Sequence, residues 1–197
     1  AGGSRRRPEP LDVGKETSTV QQCVMFEVTT KSKDAVWIES MDVWTITPEK
    51  MNFTVDYREG TFENFRGDAD AWERVGCGTL PAGNTLKTTP VGSFLPSKVP
   101  GNEGTASFFV CLDTARKLAL RRGVTPLDES AHLRMSIGTA NNIGKLSGNV
   151  NDWTRASFQG ALIYSVGTDA PASSGTPSCL EKDEVIVPPP PAAPAAK

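Results

Sequence analysis

Arg5, Arg6 and Arg7 stand side by side near the start of the chain, among the glycines and prolines of "AGGSRRRPEP". A guanidinium offers a planar fork of donors that matches two phosphate oxygens, and an unfolded segment can lay successive arginines on successive phosphates. The block therefore predicts an RNA-binding arm, with Lys15 extending it. The plain alternative is a solvated tail that keeps the protein soluble. Lys31, Lys33, Arg121 and Arg122 are secondary candidates for the same basic surface.

Catalytic chemistry finds few residues to use. His132 is the one histidine, and alternation in "HLRMSIG" puts it on the polar face of a strand. Glu39 and Asp42 have the residue types of a glycosidase pair, but a separation of three places them on opposite faces of a regular strand. "GTANNIGKL" imitates a phosphate loop, yet the glycine spacing is one residue too long and Leu146 stands where a hydroxyl is needed. Asp68, Asp70 and Glu73 carry oxygens of the kind calcium takes; an acidic helix start capped by Asp68 explains them without metal. Arg66-Gly67-Asp68 resembles an integrin-binding tripeptide, and the same capping role for Asp68 accounts for it. No catalytic residue, metal site or cofactor is predicted. Asn52-Phe53-Thr54 is a glycosylation sequon only in a secreted chain. Cys23, Cys77, Cys111 and Cys179 lie far apart with no C-x-x-C pair, which predicts free, mostly buried thiols.

The elements that would position these residues are mainly strands. "MNFTVDY" sets Met51, Phe53, Val55 and Tyr57 on one face, "HLRMSIG" does so for Leu133, Met135 and Ile137, and "SFQGALIYSVG" for Phe158, Leu162, Tyr164 and Val166. Less regular apolar runs occur in "TVQQCVMFEV", "AVWIESMDVWTI" and "TASFFVCLD", with a weaker strand in "NTLKTTPVGSF". Two short helices are predicted: one from Asp113 or Thr114 to Gly123, the other from Asp68 or Asp70 to Gly76.

With 197 residues, the chain has room for one core between two polar ends. Residues 1–19 read as a flexible basic arm, 20–167 as the folded domain and 168–197 as a Pro/Ala-rich tail containing Pro188 to Pro191. A net charge of -2 excludes binding of nucleic acid by blanket electrostatics, so any such contact must be local. No apolar run is long enough to span a bilayer and none marks a signal peptide. Synthesis in a cytoplasm, with no membrane partner, is the expectation.

Seven or eight strands in one domain predict an all-β fold, an antiparallel β-sandwich prone to self-association. The order of basic arm, strands, short helix near 68–76, strand near 105–112, short helix near 114–122, then "AHLRMSIGTA" and "ASFQGALIYSVGT" resembles the jelly-roll coat proteins of small icosahedral RNA viruses, over roughly residues 1–167. That resemblance implies an eight-stranded jelly roll. It also implies a structural protein that assembles as many copies into a capsid, packages viral genomic RNA through the arm, and resides in the virion after synthesis in the host cytoplasm. The alternative is a non-catalytic β-sandwich module for carbohydrate or protein, with Trp37, Trp72 or Trp153 as contact surface.

Overall fold

A computed structural model describes residues 8–13, 17–46, 49–82, 87–91, 94–122, 128–172 and 176–180. Its first strands are β1 (Leu11–Val13), β2 (Thr19–Gln21), β3 (Cys23–Thr30), β4 (Val36–Thr45) and β5 (Met51–Glu59). They are followed by β6 (Glu73–Leu80), β7 (Lys87–Pro90), β8 (Ser97–Val99), β9 (Thr105–Leu112) and β10 (Leu118–Arg122). The last four are β11 (Leu133–Met135), β12 (Gly138–Asn141), β13 (Thr154–Ser157) and β14 (Gly160–Val166).

These strands form one antiparallel sheet of 14 strands, ordered β1-β14-β4-β10-β13-β12-β3-β9-β5-β6. β2 joins at β10, β7 and β8 at β4, and β11 at β3. The order is open, because β1 and β6 are not hydrogen-bonded to each other. This overturns the predicted eight-stranded jelly-roll sandwich, and with it the likeness to icosahedral coat proteins, the capsid function drawn from it and the β-sandwich binding module. The physical reason is that alternation reveals which face a side chain takes and is silent about which strand lies beside it.

The two expected helices are also corrected. Among the described residues the only helical pieces are 3-10 turns at Ala69–Ala71, Val150–Asp152 and Ser178–Leu180. The segment predicted as a helix from Asp113 to Gly123 holds β10 instead, with Leu118, Ala119 and Leu120 all fully buried. A strand covered on both faces loses its alternation, so a continuous apolar run with an apparent cap imitates a helix. After the turn at Ala69–Ala71 the chain runs directly into β6.

The alternations that anchored the strands face the core, except that Ile137 lies past the end of β11 and is only half-buried. Met51, Phe53 and Val55, Leu133 and Met135, and Leu162 and Tyr164 are all buried in one cluster. Phe26, fully buried in it, is stacked on Phe108 at 5.7 Å and on Phe158 at 4.6 Å. β1 falls inside the stretch read as an arm, and it contributes Leu11 and Val13 to the same cluster through its pairing with β14. On the reverse face of β3 and β9 a second cluster gathers Cys23, Met25, Phe109 and Cys111 beneath Phe62 and Trp153.

The cysteines are bonded, contrary to the expectation of free thiols: Cys23 to Cys111 and Cys77 to Cys179. Cys23 and Cys111 are direct partners across β3 and β9, with Cα atoms 4.1 Å apart. Sheet register, which residue spacing does not encode, brings them together.

Candidate functional site

Two loops cover the second cluster, residues 60–72 between β5 and β6 and residues 142–153 between β12 and β13. They are built alike. "GDADAW" at 67–72 and "GNVNDW" at 148–153 each place a glycine, an Asx cap, a single 3-10 turn and a tryptophan at the same spacing. The Asp68 carboxylate accepts from the Asp70 N–H, and the Asn149 side chain accepts from the Asn151 N–H. Each indole then ties its own loop down, Trp72 donating to the Phe65 carbonyl at 2.9 Å and Trp153 to the Ser147 carbonyl at 2.8 Å. Both tryptophans lean on Phe109, at 6.3 and 6.1 Å between ring centroids. Gly67 and Gly148 meet so closely that a Cβ on Gly67 would lie 2.5 Å from the Gly148 nitrogen.

The first loop is further pinned to the sheet. The Glu27 carboxylate on β3 accepts from the Thr61 hydroxyl and from the Phe62 N–H. Arg58 on β5 places its guanidinium 3.4 Å over the Phe65 ring, a close cation–π contact.

Between the loops lies a cleft of about 420 Å³. Its floor is Ile137, Gly138 and Thr139 with Arg155, and Thr139 and Arg155 are paired across β12 and β13. One wall is Phe62, Glu63 and Arg66, the other Val150 and Trp153. Arg66 is held in place: its Nη2 donates to Glu63 at 3.3 Å and its guanidinium sits 5.1 Å over the Phe62 ring. Its Nε is buried with no acceptor among the described residues. Arg155 is exposed and makes no ion pair among the described residues. Val150 is 67% exposed at the rim, one of two large hydrophobic side chains so open among the described residues. Two cations, one of them uncommitted, thus share a recess with aromatic and aliphatic walls. That combination suits an anion carrying an apolar ring.

The residues singled out from the sequence fall elsewhere. Arg5, Arg6, Arg7 and Lys15 lie outside the described residues. Lys31 is paired with Glu129 at 2.7 Å, and the hydrogen bond from that ammonium holds the Glu129 carboxyl below its ordinary range. Arg121 bonds Asp128 at 3.3 Å, so two of the four secondary basic candidates are tied to one segment. Trp153 is buried rather than a contact surface, and Trp37 and Trp72 are half-buried. Asp68 caps as expected and Gly67 meets Gly148, so Arg66-Gly67-Asp68 shapes the loop's own turn, although Gly67 and Asp68 are exposed. His132 packs edge-on against Tyr164, whose hydroxyl is 2.8 Å from Ser130 Oγ. β4 has a bulge at Glu39, since Ser40 pairs with Ile163 and Ile38 with Tyr164, so simple alternation does not separate Glu39 from Asp42. Burial raises the Asp42 carboxyl above its ordinary range.

Sequence reasoning passed over Arg155 and the part of Arg66 in a cleft. The repeated Gly-Asx-x-x-x-Trp spacing was the available signal for the paired loops, and Arg155 follows the second copy by two residues. No family model, no curated protein and no solved structure matches this chain.

Proposed function

We propose that the protein binds RNA without turning it over, acts as multiple copies of itself, and has no membrane partner. One observation carries the reading: the cleft between the two loops holds an exposed Arg155, with no ion pair among the described residues, beside a fixed Arg66 and an exposed Val150. An exposed guanidinium in such a recess is placed for phosphate, while the open Val150 side chain offers apolar surface to a base. The arginine block at 5–7 supports the same ligand, since three successive guanidinium groups add phosphate contacts that do not depend on base sequence. With a net charge of -2 each chain holds RNA weakly, and many linked copies make the contact effective through local concentration.

The test is light scattering behind a sizing column, with absorbance at 260 and 280 nm, at low and high salt. Beside the intact chain stands a variant carrying Arg5→Ala, Arg6→Ala and Arg7→Ala. The expected result is a species larger than a dimer that carries RNA at low salt, sheds it at high salt, and holds less in the variant. A monomer free of nucleic acid, with no binding of added RNA at any salt, would overturn the proposal.

A further inference from the structure

We infer that the cleft between the loops is a pocket for one unpaired nucleotide, which would make the protein selective for single-stranded over duplex RNA. This rests on the reading of the chain as an RNA binder and names how the described site would take part in it. The cleft's volume of about 420 Å³ lies in the range of small-molecule recesses, suited to a single nucleotide.

Its chemistry is divided. Arg155 on the floor supplies exposed donors for a phosphate, and Arg66 on the wall, held by Glu63 and the Phe62 ring, adds positive charge beside it. Val150, 67% exposed at the mouth, supplies the main apolar surface for a ring, and the buried Trp153 and Phe62 back it from below with little exposed area of their own. A paired base shows a groove only its edges, whereas an unpaired base can turn its face to apolar and aromatic side chains. Glu63 adds a carboxylate, 69% exposed, at the same wall. It repels a second phosphate and so favours one nucleotide with the backbone passing over the Arg155 side. The glycine contact between the loops fixes the distance between the walls, so the recess exists before ligand arrives.

The experiment is fluorescence anisotropy on the full chain, with a labelled oligouridylate of about 12 nucleotides and an RNA duplex of the same length. Arg155→Ala and Val150→Asp are the variants, because both side chains are exposed and circular dichroism can confirm that each folds. The arm variant, with alanine at positions 5 to 7, is measured alongside. The expected result is tighter binding of the single strand than of the duplex. Each cleft substitution should then cost about tenfold in single-strand affinity and leave the duplex nearly unchanged. Single-strand binding untouched by Arg155→Ala and Val150→Asp but lost in the arm variant would overturn the pocket and leave RNA binding standing. Equal losses for strand and duplex would overturn the nucleotide pocket in favour of a phosphate contact. No binding of either RNA by the intact protein would remove RNA binding itself.

Discussion

Tyr57 shows how one residue can carry a pH dependence in the alkaline range. Its phenol is pushed up to about 12, first by burial and then by the charges of Glu59 and Glu73, and its hydroxyl donates to the Lys98 carbonyl at 2.6 Å. Because the folded value is raised, the stabilisation is fully present below the ordinary tyrosine value of 10.0 and is lost as pH rises towards about 12. In that window the unfolded chain gives up its proton first. Tyr57→Phe should cost about 1 kcal/mol at neutral pH for the missing hydrogen bond. Between pH 9 and pH 11.5, thermal denaturation should show the wild type losing more stability than the variant, so that the gap between them narrows. Two curves that stay parallel across that range would refute the assignment. Asp56 illustrates a different balance on the same strand: burial raises its carboxyl, while a hydrogen bond from Arg74 and its charge pull the other way.

Among the elements, the paired loops have an asymmetry that a substitution can expose. A Cβ on Gly67 would sit 2.5 and 2.7 Å from the backbone of Gly148, whereas a Cβ on Gly148 would meet nothing nearer than 3.8 Å. Gly67→Ala should therefore force the loops apart and cost about 1–3 kcal/mol. Gly148→Ala should stay within about 0.5 kcal/mol of wild type. Chemical denaturation followed by tryptophan fluorescence reads both, since Trp72 and Trp153 lie on the two loops and flank Phe109. Equal costs at the two glycines would show that the loops do not meet as described. This contact also marks where sequence legibility stops. Met51, Phe53 and Val55 could be assigned to a core face from alternation, as could Leu162 and Tyr164, because the period of a strand is written locally. Leu118, Ala119 and Leu120 could not, because burial on both faces erased the period. Arg155 escaped notice because its place in a cleft depends on its register against Thr139 and on a loop far earlier in the chain, at residues 60–72; no local pattern reports either.

For the whole molecule, the two disulfides differ in what they join and in how far solvent can reach them. Cys23 and Cys111 are buried between adjacent strands, at 0% and 6% exposure, beneath both loops. Cys77 on β6 is bonded to Cys179, which is exposed on the short turn Ser178–Leu180 and anchors the beginning of the Pro/Ala-rich end to the sheet. Thiol–disulfide exchange needs a thiolate to reach a sulfur, so access sets the order of reduction. Mild reductant on the folded protein should open Cys77–Cys179 first, with mass spectrometry after alkylation finding label on those two residues alone. Cys23 and Cys111 should label only when denaturant lifts the loops. Opening a bridge across 102 residues should lower stability by about 2–5 kcal/mol, through the freedom returned to the unfolded chain. The β3–β9 pairing should survive that step, because seven register pairs hold those strands together around the buried bridge. Simultaneous labelling of all four cysteines under mild reductant would mean that the loops do not seal the inner disulfide. The sheet's reverse face would then be open to solvent on the timescale of exchange, and the cleft above it would lack the fixed walls that a preformed pocket requires.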